Sequence, residues 1–248
     1  MNIGLYQSAS ALSALERWQD SVSENITSAQ TTGFRKRTVN FSTVNAGELN
    51  SEKRGKAGHE TGMAMNFPKV NYGINFLTGE TQPTRREFDV AIQGDGFFEA
   101  QQPDGSKVYT RSGEFHIRAD RTLVTKNNAV VMGDGGSPIT LVAGGGPLTV
   151  NGDGTMFQGT NSLGKLTVKR FADTSKLLPV GGGMFQNLGD APKTVDEPEL
   201  MQGYIEGSNV TPLREMVDLV LISRAYEANQ KIIKTVDDQM EKTLNALG

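Results

Sequence analysis

The sequence has no cysteine in its 248 residues, and this absence excludes disulfide bonds, thiolate-bound zinc, iron–sulfur clusters and thiol nucleophiles. It also has little net charge. Its 25 basic and 28 acidic residues create no overall positive field, so we expect no nucleic-acid partner. Hydrophobic residues make up 36% of the chain and aromatic residues 7%, which is low for one compact core of this length. An elongated or segmented protein is favoured.

The sequence has no long apolar run. Its longest uncharged stretch, near residues 135–152, is broken by glycine, proline and asparagine, so it is not expected to span a bilayer as a helix. The first residues lack the apolar block and small-residue cleavage site of a secretory signal, and they carry Glu16, Arg17 and Asp20. If the protein is exported, we expect it to leave without a cleaved signal peptide.

Motifs for catalysis or cofactor binding are also lacking. His59 and His116 are the only histidines and have no metal-ligand spacing, so we predict no metal site. Residues 94–96 (GDG) and 151–154 (NGDG) are interpreted as turns, because the remaining residues of a phosphate loop or a calcium loop are missing. We therefore predict no cofactor and no enzymatic activity. A glycosidase carboxylate pair remains an alternative, since its spacing is spatial; the acidic residues considered are Asp89, Glu99 and Glu114.

The sequence contains a coiled-coil seam at each end, in which successive seam positions are separated alternately by three and four residues. The first seam runs through Leu5, Ser8, Leu12, Leu15, Gln19, Val22, Ile26 and Ala29. The second runs through Leu219, Ile222, Tyr226, Asn229, Ile233, Val236, Met240, Thr243 and Leu247. We predict that the helical ends, residues 1–41 and 208–248, pair as a stalk. Asn229 is interpreted either as a register-setting seam residue or as a solvated one.

The C-terminal helix has a readable start and a wide apolar surface. Thr211 suits the capping position, Pro212 the first helical position, and Glu215 the positive end of the helix dipole. Further apolar residues flank the seam: Leu213, Met216, Val220, Ala225, Ala228 and Ile232. One partner helix would not cover so wide a surface. The extra residues contact either the body of the same chain or other molecules, and we favour the second interpretation.

The middle of the chain has short apolar runs separated by turns rich in glycine. We predict an antiparallel β domain over residues 88–186, with strands that include 122–125, 129–132, 139–142, 148–150 and 165–171. Residues 42–87 and 187–207 are predicted to be extended connectors that lie side by side. The predicted fold is therefore mainly β, with α-helical coiled-coil termini.

The ten residues NITSAQTTGF, positions 25–34, interrupt the first helical pattern. Asn25 opens a short match to the N-glycosylation acceptor pattern, which occurs often by chance. We interpret the stretch as a helix end, with Gly33 in the left-handed position just past the helix and Phe34 after it. The three basic residues at 35–37 would then lie near the negative end of the helix dipole.

Three blocks of this sequence match a known family. The first is residues 25–34, the second is residues 89–98 (DVAIQGDGFF) with 109–115 (YTRSGEF), and the third is residues 203–210 (GYIEGSNV) with 224–227 (RAYE). In this order they resemble the flagellar basal-body rod and hook family of axial proteins, most closely its rod members. The resemblance covers nearly the whole chain.

The resemblance implies a structural role and no enzymatic activity. Family members have terminal helices that pair and stack in the wall of a hollow axial tube, with β domains projecting outwards. The expected partners are copies of the chain, other flagellar rod and hook proteins, the flagellar export apparatus and the surrounding ring proteins. The expected location is the periplasm-spanning rod, where the tube transmits motor torque and conducts exported subunits. Two alternatives are a hook or hook-junction protein, and a cell-envelope glycan-binding or hydrolase β domain with oligomerising tails.

Overall fold

The chain forms two compact units in a computed structural model that describes residues 3–49 and 63–247. The helical unit takes the segments Met1–Ile26, Arg37–Gly73 and Pro212–Gly248. The β unit takes the segments Thr27–Lys36 and Ile74–Thr211. Each unit is thus assembled from segments that are far apart in the sequence.

Two helices form the helical unit's core: α1 spans Ile3–Thr27 and α2 spans Pro212–Leu247. The predicted contact between them is confirmed, because side chains of both share one buried cluster. Asn25, at the end of α1, bonds to Glu215 at the start of α2, while Leu15, further back along α1, clusters with Ile222. The helices therefore run antiparallel. Neither has a stretch apolar enough to cross a membrane.

A two-stranded sheet also belongs to the helical unit, formed by β1 (Arg37–Leu49) and β2 (Met63–Ile74). Phe41 meets Trp18 of α1 edge to face, with ring centroids 5.6 Å apart, and the Ser10 hydroxyl donates to the Pro68 carbonyl. The sequence alone predicts an extended connector here, because these residues lack clear alternation. Two strands alone are marginally stable, so packing against α1 supplies stability that the local sequence does not show. Residues 50–62 of the predicted connector lie outside the described residues.

The β unit consists of short strands and two 3₁₀ turns at Asp134–Gly136 and Thr174–Lys176. The strands are β3 (Thr81–Pro83), β4 (Val90–Gln93), β5 (Phe97–Gln101), β6 (Lys107–Thr110), β7 (Phe115–Ile117), β8 (Leu123–Thr125), β9 (Val130–Val131), β10 (Leu148–Val150), β11 (Thr155–Gln158), β12 (Asn161–Lys165), β13 (Val168–Arg170), β14 (Leu177–Gly181), β15 (Met184–Asn187), β16 (Lys193–Thr194), β17 (Glu199–Gln202) and β18 (Tyr204–Glu206). The predicted central antiparallel β region is confirmed.

The largest sheet has the order β14-β15-β6-β5-β9-β8-β7; β13 also pairs with β5, and β16 pairs with β13. The strands β10, β11 and β12 form a second sheet. The main core lies between these elements, where Phe98 and Phe115 pack edge to face at 5.1 Å. The predicted turns at 94–96 and 151–154 are present, and His116 lies in β7 as expected.

Strand pairing extends beyond the predicted domain of residues 88–186. Strand β17 pairs with β4, and β18 pairs with β3, all antiparallel. The amide of Gly207 also donates to the Glu80 carbonyl at 2.9 Å. Residues 80–83 and 204–207 therefore lie side by side, as expected for the two connectors, and both belong to the β unit.

Candidate functional site: the paired helices and the buried ion cluster

The predicted seam residues form a small core in the helical unit. Leu15, Val22 and Ile222 are buried, and Ile26, Leu219 and Tyr226 pack against them. Ser8 of the first seam is also buried. Other predicted interface residues are more open: Leu5, Leu12, Asn229, Ile233 and Val236 are half-buried and Met240 is exposed. Trp18 packs against the same cluster, although the predicted seam omits it. The contact is tightest where α1 ends and α2 begins.

Asn229 uses its amide within its own helix. Its Nδ2 atom donates to the Ala225 carbonyl at 2.9 Å, one turn earlier in α2. A bond of this kind satisfies one donor without any partner helix. The register-setting role of Asn229 therefore stays a prediction.

Asn25 joins three elements of the helical unit. Its side chain is 1% exposed, and its Nδ2 atom donates to Glu215 Oε2 and to the Arg37 carbonyl, both at 2.9 Å. Its Oδ1 atom accepts from the Arg37 amide at 2.8 Å. The Asn25 amide thus connects the end of α1, the start of β1 and the first turn of α2. A buried and fully engaged amide of this kind is not available for glycosylation.

The helix ends earlier than the sequence predicts. It stops at Thr27, and Gly33 lies six positions later in a loop of the β unit. Gly33 has φ +68°, and its amide donates to the Glu206 carbonyl at 2.8 Å. A Cβ atom at this position would lie 2.3 Å from the Ser112 nitrogen. The glycine therefore serves a close backbone approach within the β unit, and Phe34 beside it is buried.

Arg35, Glu206 and Arg111 form a buried ion cluster in the β unit. Glu206 Oε1 lies 2.6 Å from Arg35 Nη2, and Glu206 Oε2 lies 3.2 Å from Arg111 Nε. All three side chains are at most 3% exposed. Burial lowers the pKa of Arg111, and the nearby Glu206 carboxylate opposes that shift. The cluster carries two positive charges and one negative charge. The Glu206 carboxylate therefore offsets part of the desolvation cost of burying the two guanidinium groups.

Backbone groups complete the surroundings of this cluster. The Gly79 amide donates to Glu206 Oε1 at 2.8 Å, and Arg111 Nη2 donates to the Gly94 carbonyl. Asn209, close by in sequence, accepts from the Lys36 amide and donates to the carbonyls of Asn75 and Leu77. The loop at 27–36 is therefore fixed in the β unit by Glu206 at the end of β18 and by Asn209 just after it. This arrangement was not predicted from the sequence, although residues 203–210 were part of the family match.

The basic residues at 35–37 do not act together at a helix end. Arg35 is buried in the ion cluster, whereas Arg37 pairs with Glu24 of the helical unit at 2.7 Å and is about one-third exposed. Lys36, between them, is half-buried. Three adjacent cations thus have separate surroundings, which their sequence does not reveal.

One face of α2 is apolar and open. Its side chains are all at least half exposed and follow the i, i+3, i+4, i+7 spacing of a helix face: Leu213, Met216, Val217, Val220 and Leu221. We call this set the α2 stripe. It lies apart from Leu219 and Ile222, which face α1. The prediction that α2 has apolar surface beyond one partner helix agrees with these exposures.

The structure has three features that suit a structural subunit. The terminal helices are in contact, a β region lies between them in sequence, and one face of α2 is apolar and open. The family described as flagellar basal body rod FlgEFG protein C-terminal matches residues 201–247, and the one described as flagellar hook protein FlgE/F/G D1 domain matches residues 91–158. These regions include β18 with α2, and the strands β5 to β11.

Full-length relatives agree with both matches. The flagellar basal-body rod protein FlgF of Caulobacter vibrioides is 33% identical over 252 residues, which cover 100% of this chain and 99% of that protein. FlgF of Rhizobium meliloti is 31% identical, with the same coverage. The flagellar basal-body rod protein FlgG of Borreliella burgdorferi is 29% identical over 95% of each chain. This chain belongs to the flagellar basal-body rod protein family, whose members are structural and not enzymes.

Family membership excludes the hydrolase alternative, and two of the acidic residues considered for it, Glu99 and Glu114, form ion pairs with basic residues. Glu99 lies 2.8 Å from the Lys107 ammonium in the β unit and 3.5 Å from that of Lys169. Glu114 pairs with Arg86 at 3.3 Å. Among the described residues, no group of three or more histidine or acidic side chains is placed to hold a metal ion.

Proposed function

We propose that the chain polymerises helically with copies of itself, through its terminal helices, into the hollow axial tube of the flagellar rod. The observation that carries this proposal is the α2 stripe, which stays open although α1 already covers the face that contains Ile222. Burying the exposed parts of its five side chains would contribute on the order of 5 kcal/mol per subunit. A partner that covers the stripe would therefore stabilise α2 in an assembled state.

The same proposal gives the location and the further partners. The chain lies in the periplasm-spanning rod, where the tube transmits motor torque and conducts exported subunits. It contacts other rod and hook proteins along the axis, ring proteins around it, and the flagellar export apparatus during delivery without a cleaved signal. The support is the full-length likeness to relatives named as basal-body rod proteins.

Assembly is tested with the full chain carrying Val217→Gln and Val220→Gln, which make the α2 stripe polar without changing a buried residue. Sedimentation and electron microscopy compare it with the parent chain over a range of concentrations. We expect the parent to form filaments and the variant to remain monomeric with an unchanged circular dichroism spectrum. Leu188→Gln is the matched control, because Leu188 is an exposed leucine of the β unit, and it should assemble normally. Normal filaments from the stripe variant would contradict the proposal.

Location is tested separately by imaging intact basal bodies that contain a tagged copy of the chain. Density for the tag within the rod supports the proposal. Density confined to the hook would favour the alternative of a hook or hook-junction protein.

A further inference from the structure

The buried ion cluster has more hydrogen-bond donors than acceptors. Arg35 Nε and Nη1 are enclosed by the fold and have no hydrogen-bond partner among the described residues, although Nη2 of the same guanidinium pairs with Glu206. Arg111 Nη1 is likewise enclosed and unpaired within the described part of the chain. Donors of this kind lose their hydrogen bonds to water on folding and regain none from the chain. The cluster therefore lacks acceptors for three nitrogen atoms.

Glu206 does not supply the missing acceptors. Its Oε1 atom already accepts from the Gly79 amide at 2.8 Å and lies 2.6 Å from Arg35 Nη2. Its Oε2 atom lies 3.2 Å from Arg111 Nε, an ion-pair distance without the geometry of a hydrogen bond. One carboxylate also cannot neutralise two guanidinium groups. The cluster thus keeps unpaired donors and an excess of one positive charge.

The excess charge cannot be lost as a proton. The Arg111 guanidinium lies over the ring of Phe97, 5.8 Å from its centroid, and Phe97 is 6% exposed. Burial lowers the pKa of Arg111, the Glu206 carboxylate opposes that shift, and Asp95, on an exposed turn, opposes it less. An arginine side chain nevertheless stays protonated in proteins. Neutralising the cluster therefore requires a further anion.

We infer that the cluster binds one small monovalent inorganic anion, such as chloride, through the unpaired nitrogen atoms of Arg35 and Arg111. One negative charge added to two arginines and one glutamate makes the cluster neutral. The anion is small because the three side chains are at most 3% exposed, and a phosphate ester or the carboxylate of another molecule would need an open approach. The inference concerns the β unit alone and does not depend on polymerisation.

The coupling of anion binding to folding provides the test. An ion that binds only the folded chain divides the equilibrium constant for unfolding by 1 + [ion]/Kd. Urea unfolding of the full chain is measured at a fixed sodium concentration while gluconate, which is too large to be enclosed, is replaced by chloride. Once chloride exceeds its Kd, the unfolding constant should fall about tenfold for each tenfold rise in chloride. Equal stability in the two salts would overturn the inference.

Charge variants decide whether the response to chloride belongs to the cluster. Arg35→Met leaves Arg111 and Glu206 as a neutral pair and should lose the response. Arg35→Lys restores the positive charge and should keep most of it. Glu206→Gln raises the excess positive charge and should respond more strongly than the parent chain. Arg118→Met is the matched control, because Arg118 pairs with Asp120 on an exposed surface, and its response should equal that of the parent.

Direct binding provides the second arm of the test. Equilibrium dialysis of the folded full chain against radioactive chloride should find close to one ion per parent chain and none in Arg35→Met. An ion retained by Arg35→Met, or an equal chloride response in that variant and the parent, would show that chloride binds elsewhere and would overturn the inference. A weaker response in Glu206→Gln than in the parent would contradict the charge balance on which the site depends.

Discussion

The buried ion cluster predicts an ordered pair of stability losses. Two arginines and one glutamate leave the cluster with a net positive charge in the β unit. Glu206→Gln removes the cluster's negative charge and leaves two buried guanidinium groups without that counter-ion. Arg35→Met removes one positive charge and leaves Arg111 and Glu206 as a neutral pair. The glutamate substitution should therefore destabilise the β unit more than the arginine substitution does.

The expected magnitudes follow from the interactions that each substitution removes. Leaving buried charges uncompensated costs about 3 to 5 kcal/mol, which we expect for Glu206→Gln. Arg35→Met removes the 2.6 Å ion pair with Glu206, and a bond between charged groups contributes about 1.5 to 3 kcal/mol. Part of that loss is offset, because methionine has no charge to desolvate. The gap between the two variants should thus be on the order of 2 kcal/mol.

Equilibrium urea unfolding of the full chain, followed by circular dichroism, measures both losses as changes in the free energy of unfolding. Arg118→Met is the matched control, since Arg118 pairs with Asp120 on an exposed surface and its removal should have little effect. If Arg35→Met proves as destabilising as Glu206→Gln, the net positive charge does not govern the cluster. The reasoning would then be refuted.

Three further changes test other features of the structure. Gly33→Ala should destabilise the chain clearly more than Gly94→Ala. Both glycines have positive φ, which costs an alanine about 1 to 2 kcal/mol, but only at Gly33 would the added Cβ atom also clash with backbone atoms. Equal unfolding midpoints for the two variants would contradict this. Asn25→Ala should cost about 2 to 4 kcal/mol in urea unfolding, since the buried Glu215 carboxylate loses a donor, whereas Asn25→Asp, which adds a second carboxylate there, should cost no less. Acidification should reduce stability, because it protonates turn aspartates whose pKa values are lowered by hydrogen bonds from the residue two positions later: Asp104, Asp153 and Asp173. A carboxyl group whose pKa is lowered by folding stabilises the fold at a pH above the ordinary aspartate pKa, and this stabilisation is lost as the pH falls below it. Asp153→Asn should therefore reduce the dependence of the free energy of unfolding on pH in the acid range.

The helices and their contact could be predicted because seam residues repeat within each segment. Leu15, Val22 and Ile222 all follow the alternating three- and four-residue steps, and all are buried. Short strands between glycine turns were likewise predictable, and β10 and β13 fall within predicted segments. Local periodicity is enough for such elements because their own residues select the conformation.

The buried polar groups could not be predicted in this way. Arg35 has the same chemical character as its basic neighbours, and its partner Glu206 is distant in sequence. The glycine at position 33 did predict a positive φ. That conformation occurs both at helix ends and where two backbone segments lie close together, and the sequence does not distinguish the two. The β1–β2 sheet is stabilised in part by α1, including Trp18 against Phe41, and not by its own pattern. In each case the deciding interaction is long-range.

The chain order gives the ion cluster a consequence for folding. The loop at 27–36 leaves the helical unit after α1, enters the β unit and returns at β1, so Arg35 is placed early in the chain. Glu206, which neutralises part of its charge, follows almost all of the β strands. A contact over such a separation must overcome a large loop-closure entropy before it stabilises the fold. A chain lacking its C-terminal portion would therefore leave Arg35 without its carboxylate partner, and the loop gains its full stability only when β18 is in place.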